Sequence, residues 1–242
     1  MINKRIIYLI IFLFTICQFP EPSFAQTSNR SAIESLSIGL GDENSAADAR
    51  YIIFTFDAGN KRSKASYLYD WESGDCRYER QTENAEDVVI LFNVNEAGGD
   101  VFINKKPTTD ESLLKRVRQS FQDDSYFLFM PIRIAKQEIN AAELEPEIVD
   151  SKKFHVLQIR TPDSKYKSSK IYIDFQNGTI YKWDTYNADD KVSHELIVSR
   201  TKDVGGGLTL PTQFTDNLTG SSFEYPIAAA LLNIEPQKFK KP

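Results

Sequence analysis

The side chains that most often perform catalysis or bind metals are scarce in this chain. His155 and His194 are its two histidines, and they fall on separate predicted strands. Hydrolytic zinc sites need histidines one helical turn apart with a nearby carboxylate, and the sequence has no such pattern. The Gly-x-Ser-x-Gly sequence that carries the nucleophile of common serine hydrolases is also missing. We therefore predict that the protein is not an enzyme and has no catalytic residue, metal ion or cofactor.

Residues 1–25 have the organisation of a secretory signal peptide. A short basic stretch precedes an apolar run over residues 6–17, which is shorter than the roughly 20 residues that span a bilayer. Ser23 and Ala25 then place small side chains at the −3 and −1 positions of a cleavage site. We predict that this segment is removed and that the protein is exported to the periplasm, with an extracellular location as the alternative.

The remaining residues, 26–242, are predicted to form a single domain. The whole chain is 41% hydrophobic and 26% charged, which is an ordinary globular composition. Its net charge of −5 disfavours a nucleic-acid partner, and residues 26–242 contain no apolar segment long enough to be a transmembrane helix. Cys76 would be the one cysteine left, so we interpret it as a small strand residue without a disulfide.

Most of the chain alternates between apolar and polar residues with the period of a β-strand. Asn177-Gly178 between two such segments predicts a type I′ hairpin turn, which needs positive φ angles at both central residues. The pattern predicts short strands over residues 50–56, 64–71, 75–81, 87–94, 101–104, 154–161, 169–175, 179–185, 194–201 and 208–216.

Two helices are predicted beside the strands. A short one is expected around residues 31–39. For the longer one, Thr108 and Glu111 have the spacing of a capping box, and an apolar stripe follows. We expect this helix to break at residues 123–124, before a separate apolar run that a proline closes.

These elements predict a mostly β, α+β fold: a large curved antiparallel sheet with one or two covering helices. Residues 88–92 are apolar on both faces, which a sheet with one wet face does not need. Either a helix packs inside the curve, or the concave face encloses an apolar cavity. The aromatic surplus leads us to predict a cavity lining of Phe54, Phe56, Trp71, Phe92, Tyr126, Phe127, Phe129 and Trp183.

Three stretches resemble the LolA-like family of exported chaperones that sort outer-membrane lipoproteins. They are residues 50–56 followed by 69–79, the Leu-Pro-Thr-x-Phe segment at 210–214, and Asp-Ser-Tyr-Phe-Leu-Phe-Met-Pro at 124–131. The last looks like the Asp-Ser-Tyr-Trp-Leu-x-x-Pro signature of an uncharacterised branch of that family, with Phe127 in place of Trp. The resemblance implies a half-open β-barrel that holds a lipid, an acyl chain or a lipoprotein in a hydrophobic cavity.

Two alternatives remain at this stage. The aromatic faces could dock a protein partner in the cell envelope without any ligand cavity. A hydrolase with dispersed carboxylates would instead require a cleft where Asp or Glu side chains converge and have raised pKa values.

Overall fold

The computed structural model describes residues 30–41, 45–59, 64–161 and 165–242, and most of them lie in short strands. The first half of the chain contributes β1 (Tyr51–Phe56), β2 (Ala65–Asp70), β3 (Asp75–Gln81), β4 (Asp87–Asn93), β5 (Asp100–Ile103) and β6 (Lys106–Thr108). The second half contributes β7 (Ala141–Val149), β8 (Lys152–Arg160), β9 (Ser168–Asp174), β10 (Ile180–Tyr186), β11 (Val192–Asp203), β12 (Thr209–Asp216), β13 (Ser222–Glu224) and β14 (Ala228–Leu231).

The strands form two seven-stranded antiparallel sheets. Sheet A has the order β14-β1-β2-β3-β4-β5-β6, and sheet B has the order β13-β12-β11-β10-β9-β8-β7. The sheets meet at one seam, where Asp57 bridges to Glu224 and the Ala230 amide donates to the Val204 carbonyl at 2.6 Å. No pairing joins β6 to β7 within the described residues. The predicted fold class, a half-open and mostly β structure with covering helices, is confirmed.

The helices are α1 (Ala32–Gly39), α2 (Ser45–Asp48) and α3 (Glu111–Ala135), with a 3-10 turn at Pro236–Phe239. The predicted helix around residues 31–39 is therefore confirmed. A capping box starts α1, because the Ser31 hydroxyl accepts from the Glu34 amide while the Glu34 carboxylate accepts from the Ser31 amide.

Helix α3 begins later than the sequence predicts. Asp110, not Thr108, is its N-cap, and the Asp110 carboxylate accepts a hydrogen bond from the Leu113 amide at 2.8 Å. Thr108 instead lies in β6, opposite Val101 of β5. Thr108 therefore pairs within the sheet, although the capping-box spacing assigned it to the start of the helix.

The predicted break at residues 123–124 is wrong, because α3 continues for 25 residues through the apolar run and Pro131. Residues 125–132 are all buried, so this stretch of the helix has no solvent-exposed polar face. A short apolar run without amphipathic period is equally compatible with a buried strand and a buried helix. Pro131 lacks the amide that would bond the carbonyl of Phe127, and the surrounding packing tolerates this loss.

Helix α3 fills the concave side of the sheets. Phe129 packs edge-on against Phe54 of sheet A, with ring centroids 5.4 Å apart. On its other side, Phe127 packs at 5.2 Å against Trp183 and at 5.5 Å against Phe214, both of sheet B. The helix accounts for one face of β4, because Val88, Ile90 and Phe92 belong to the same core cluster as the helix, whereas the buried Leu91 lies outside that cluster.

The Asn177-Gly178 turn joins β9 to β10 but is not of type I′. Only Gly178 has a positive φ, of 73°, since the Asp174 carboxylate accepts from the Gln176 and Asn177 amides and keeps a wider turn. The turn also meets α1 closely: a Cβ on Gly178 would lie 1.8 Å from the Ser35 carbonyl oxygen. The glycine is therefore required by tertiary packing as well as by the turn.

Residues 31–242 form one compact unit. The predicted signal peptide lies outside the described residues. Within the part of the chain that the structure describes, no helix combines the length and the apolar character needed to cross a membrane.

Candidate functional site

A cavity of about 810 Å³ opens beside α3. Its walls come from α3, from the ends of β2 and β4 in sheet A, from the end of β8 in sheet B, and from residues 138–140 after the helix. The volume falls within the range of about 300–1,000 Å³ typical of small-molecule sites.

Aromatic side chains form the floor of the cavity, and this floor is continuous with the core. Trp71 meets Phe129 edge-on with centroids 5.1 Å apart, and Tyr69 lies 5.4 Å from the same Phe129 ring. Phe121 and Tyr126 extend this surface along α3. Burial raises the pKa of Tyr69 to about 12, so its hydroxyl stays neutral. An aromatic floor with neutral hydroxyls suits a hydrocarbon ligand.

Charged side chains surround one edge of this aromatic floor. The Trp71 indole Nε1 donates to Glu138 Oε1 at 2.9 Å, and Glu138 Oε2 lies 3.7 Å from Arg133 Nε. The Lys136 ammonium lies over the Trp71 ring, 4.8 Å from its centroid, and burial lowers the pKa of this lysine. These contacts attach the segment after α3 to the rim of the cavity.

The other edge of the cavity is also polar. Asp123 Oδ2 lies 3.9 Å from Lys165 Nζ, and the hydroxyls of Tyr126 and Ser169 are 3.2 Å apart. Arg160, at the end of β8, lines the wall and is exposed. The cavity therefore combines an apolar floor with a polar and charged rim.

A third acidic side chain, that of Asp124, lies behind the cavity wall and not on it. The Tyr67 hydroxyl donates to Asp124 Oδ2 at 2.8 Å, and the Tyr225 hydroxyl donates to the Asp124 carbonyl at 2.7 Å. Burial raises the pKa of the Asp124 carboxyl to about 6, although the Tyr67 hydrogen bond acts in the opposite direction. Asp124 is not among the cavity-lining residues, so its contacts attach α3 to sheet A.

The structure brings together part of the predicted lining. Trp71, Tyr126 and Phe129 line the cavity. The other five predicted residues pack within or against the core instead: Phe54, Phe56, Phe92, Phe127 and Trp183.

Several residues that complete the site are absent from the predicted lining. Tyr69 lies near the end of β2 and precedes Trp71 by two residues, so the period-two pattern in the sequence places both on one face and could have indicated it. Phe121 was predicted to lie on the apolar stripe of the helix, but not in a site. No local sequence pattern could indicate the charged rim, because its residues come from α3, the following loop and β8 and meet only in the folded protein.

The side chains considered for chemistry are dispersed. Cys76 is buried in β3, and burial raises the pKa of its thiol well above the ordinary value. His155 is buried in β8, whereas His194 Nδ1 lies 3.0 Å from Asp216 Oδ2. The lining carboxylates Asp123 and Glu138 face basic partners and not each other. Among the described residues, no group of three potential metal ligands occurs.

Comparison with known proteins finds similarity at the level of fold. No family model matches the chain, and no curated protein matches it. Among solved structures, a LolA superfamily protein from Nitrosomonas europaea has 14% identity and a TM-score of 0.49, covering 88% of this chain and 98% of that one. A domain described for outer-membrane lipoprotein sorting, from Vibrio parahaemolyticus, has 14% identity and a TM-score of 0.47, covering 86% and 97%.

A DUF1329 family protein from Desulfovibrio piger has 11% identity and a TM-score of 0.46, covering 87% of this chain and 98% of that one. Two of these three structures are described as a LolA superfamily protein and a lipoprotein-sorting domain, and the sequence resembles the same family.

Proposed function

We propose that the protein is an exported, non-enzymatic binding protein that takes up the hydrocarbon part of a lipid, an acyl chain or a lipoprotein in the cavity beside α3. In this proposal residues 1–25 direct export, and residues 26–242 are the binding domain in the periplasm or beyond it. The observation that carries the proposal is the aromatic floor of the cavity, which is open to a ligand while its polar rim remains in contact with water.

The energetics favour a hydrocarbon ligand. Each methylene transferred from water gains about 0.8 kcal/mol, so ten buried methylenes would contribute about 8 kcal/mol before the cost of association. The floor already contains partly exposed Trp71 and Tyr69, whose remaining apolar surface a ligand would cover. Specific polar contacts are therefore not needed for binding, although they can set specificity.

The geometry also defines where a head group would lie. The charged residues lie on the rim, so a chain inserted against Phe129 leaves a polar group at the edge of the cavity. This orientation avoids burial of an uncompensated charge among the aromatic rings. An amphiphile is therefore a better fit than a wholly apolar molecule.

Two substitutions on α3 test the location of the site. Gln122 is exposed and lines the cavity, whereas Ser120 is exposed on the same helix and does not line it. Gln122→Trp fills part of the cavity and is expected to weaken binding of a fluorescent fatty-acyl probe at least about tenfold, since about two methylenes of contact would be lost. Ser120→Trp is expected to bind like the unmodified protein.

Thermal unfolding of both variants checks that the fold is retained. Equal probe binding by both folded variants would contradict the proposed site. If the unmodified protein binds no probe while crosslinking in cells captures a single protein, the alternative in which the aromatic faces dock a protein partner is favoured instead.

A further inference from the structure

The charges around the cavity differ in sign from the charge of the whole chain, which has a net charge of −5. Four charged residues line the cavity, namely Arg133, Arg160, Asp123 and Glu138. Two lysines contact a lining side chain, Lys136 over Trp71 and Lys165 beside Asp123. The described part of the chain therefore has four cations and two carboxylates at the cavity. A local excess of positive charge in a concave site attracts anions even when the protein as a whole is acidic.

Two guanidinium groups at the cavity have donors to offer. Arg160 is exposed, and no carboxylate of the described residues forms an ion pair with it. Arg133 meets Glu138 only through Nε, at 3.7 Å, and its terminal nitrogens form no hydrogen bond to another described residue. Guanidinium donors have the planar fork geometry that matches carboxylate and phosphate oxygens.

The two lysines contribute less directly. Lys165 lies 3.9 Å from Asp123, so part of its charge is compensated. Lys136 lies over the Trp71 ring, where it adds positive potential close to the aromatic floor. The arginines are therefore the groups best placed to contact a ligand directly, and the lysines reinforce the field at the rim.

From these charges we infer that the cavity selects amphiphiles with an anionic head group, a carboxylate or a phosphate, and that Arg160 is the main head-group contact with Arg133 as the second. The inference rests on the proposed function, because the hydrocarbon chain of the ligand must occupy the aromatic floor for its head group to reach the rim. It adds a specificity that the fold and the apolar floor alone do not define.

The test compares ligands with one chain and different head groups. Laurate, dodecyl phosphate, dodecyltrimethylammonium and dodecyl maltoside are titrated below their micelle concentrations at low salt. The anionic ligands are expected to bind about tenfold more tightly than the cationic one. Arg160→Gln is expected to lower the affinity for the anionic ligands about tenfold, the lower end for one charge-assisted hydrogen bond, and to leave the affinity for dodecyl maltoside unchanged.

Arg116→Gln is the matched control, because Arg116 is exposed on α3 and does not line the cavity. It removes the same charge and is expected to leave all affinities unchanged, which separates the local contact from the net charge of the protein. Added salt is expected to weaken the preference for anions, because exposed charges are screened.

Each outcome has a distinct meaning. Equal affinities for all head groups, or equal effects of Arg160→Gln and Arg116→Gln, would overturn this inference while the proposed function stands. Failure of every ligand to bind, the maltoside included, would overturn the proposed function itself. Inorganic phosphate that competes as strongly as dodecyl phosphate would also overturn the inference, since the dodecyl chain would then contribute nothing to the affinity.

Discussion

Burial of Asp124 makes the stability of the protein depend on pH. Its carboxyl has a pKa of about 6 in the folded protein, against about 3.9 for an unperturbed aspartate. Between these values the folded state binds more protons than the unfolded state, so stability falls as the pH rises through this window. The protein therefore loses stability when this buried group ionises.

The change that tests this is Asp124→Asn, which keeps the acceptor for Tyr67 but cannot ionise. Relative to the unmodified protein, we expect the variant to gain about 1–3 kcal/mol of unfolding free energy between pH 4 and pH 7, because one pKa unit corresponds to about 1.4 kcal/mol. Urea unfolding at several pH values measures the difference in unfolding free energy between the two proteins. The contributions of the other titrating groups are common to both and cancel in this difference.

Tyr67→Phe provides the opposite perturbation. It removes the hydrogen bond that holds the Asp124 pKa down, so the pH-dependent loss of stability is expected to extend to higher pH. A difference between Asp124→Asn and the unmodified protein that does not change with pH would show that Asp124 ionises normally.

The sequence did not indicate which aromatic side chains would line the cavity. Tyr69 and Phe54 lie on the neighbouring strands β2 and β1, and each belongs to the apolar side of a period-two pattern. Phe54 is completely covered in the structure, whereas Tyr69 remains partly open to the cavity beside α3. Which aromatic side chains are left uncovered is a tertiary property that no local pattern records.

At the scale of elements, the contact between α1 and the β9–β10 turn tests the packing most sharply. Gly178→Ala would place a Cβ 1.8 Å from the Ser35 carbonyl oxygen and would also require a left-handed backbone at alanine. We expect a loss of about 3–5 kcal/mol, the sum of a left-handed residue and an overpacked contact. Chemical denaturation of the purified variant measures this loss.

Gly206→Ala is the matched control for this prediction. Gly206 has a φ of 63°, but a Cβ there would meet nothing within 4 Å. Only the backbone cost of about 1–2 kcal/mol is then expected. Similar losses at both positions would mean that α1 does not pack against this turn as described.

Most strands were predictable because their period-two pattern is local. β7 was not predicted: it is an edge strand with three glutamates and a proline, and it therefore lacks the apolar alternation of a buried strand. The second half of α3 was missed for the opposite reason, since its continuous burial removes the amphipathic period.

At the scale of the whole molecule, the two sheets and α3 explain why an apolar surplus and an open cavity coexist. The sheets join at one seam and remain unpaired between β6 and β7 in the described chain, and α3 occupies the space between them. The helix covers most of the concave surface. The uncovered remainder near Trp71 and Phe129 is the cavity.

The central claim is that a hydrocarbon chain lies against this uncovered surface. Trp71 and Trp183 are the two tryptophans of the chain, and Trp71 lines the cavity whereas Trp183 is fully buried in the core. In the Trp183→Phe variant, Trp71 is the single tryptophan reporter. A fatty acid with a spin label on its chain quenches tryptophan fluorescence when the two are in contact.

Titration of the Trp183→Phe variant with this spin-labelled fatty acid is the most direct measurement. We expect saturable quenching of Trp71 that an unlabelled fatty acid reverses. Fluorescence that stays unchanged up to the solubility limit of the fatty acid, in a variant shown to be folded, would contradict the central claim.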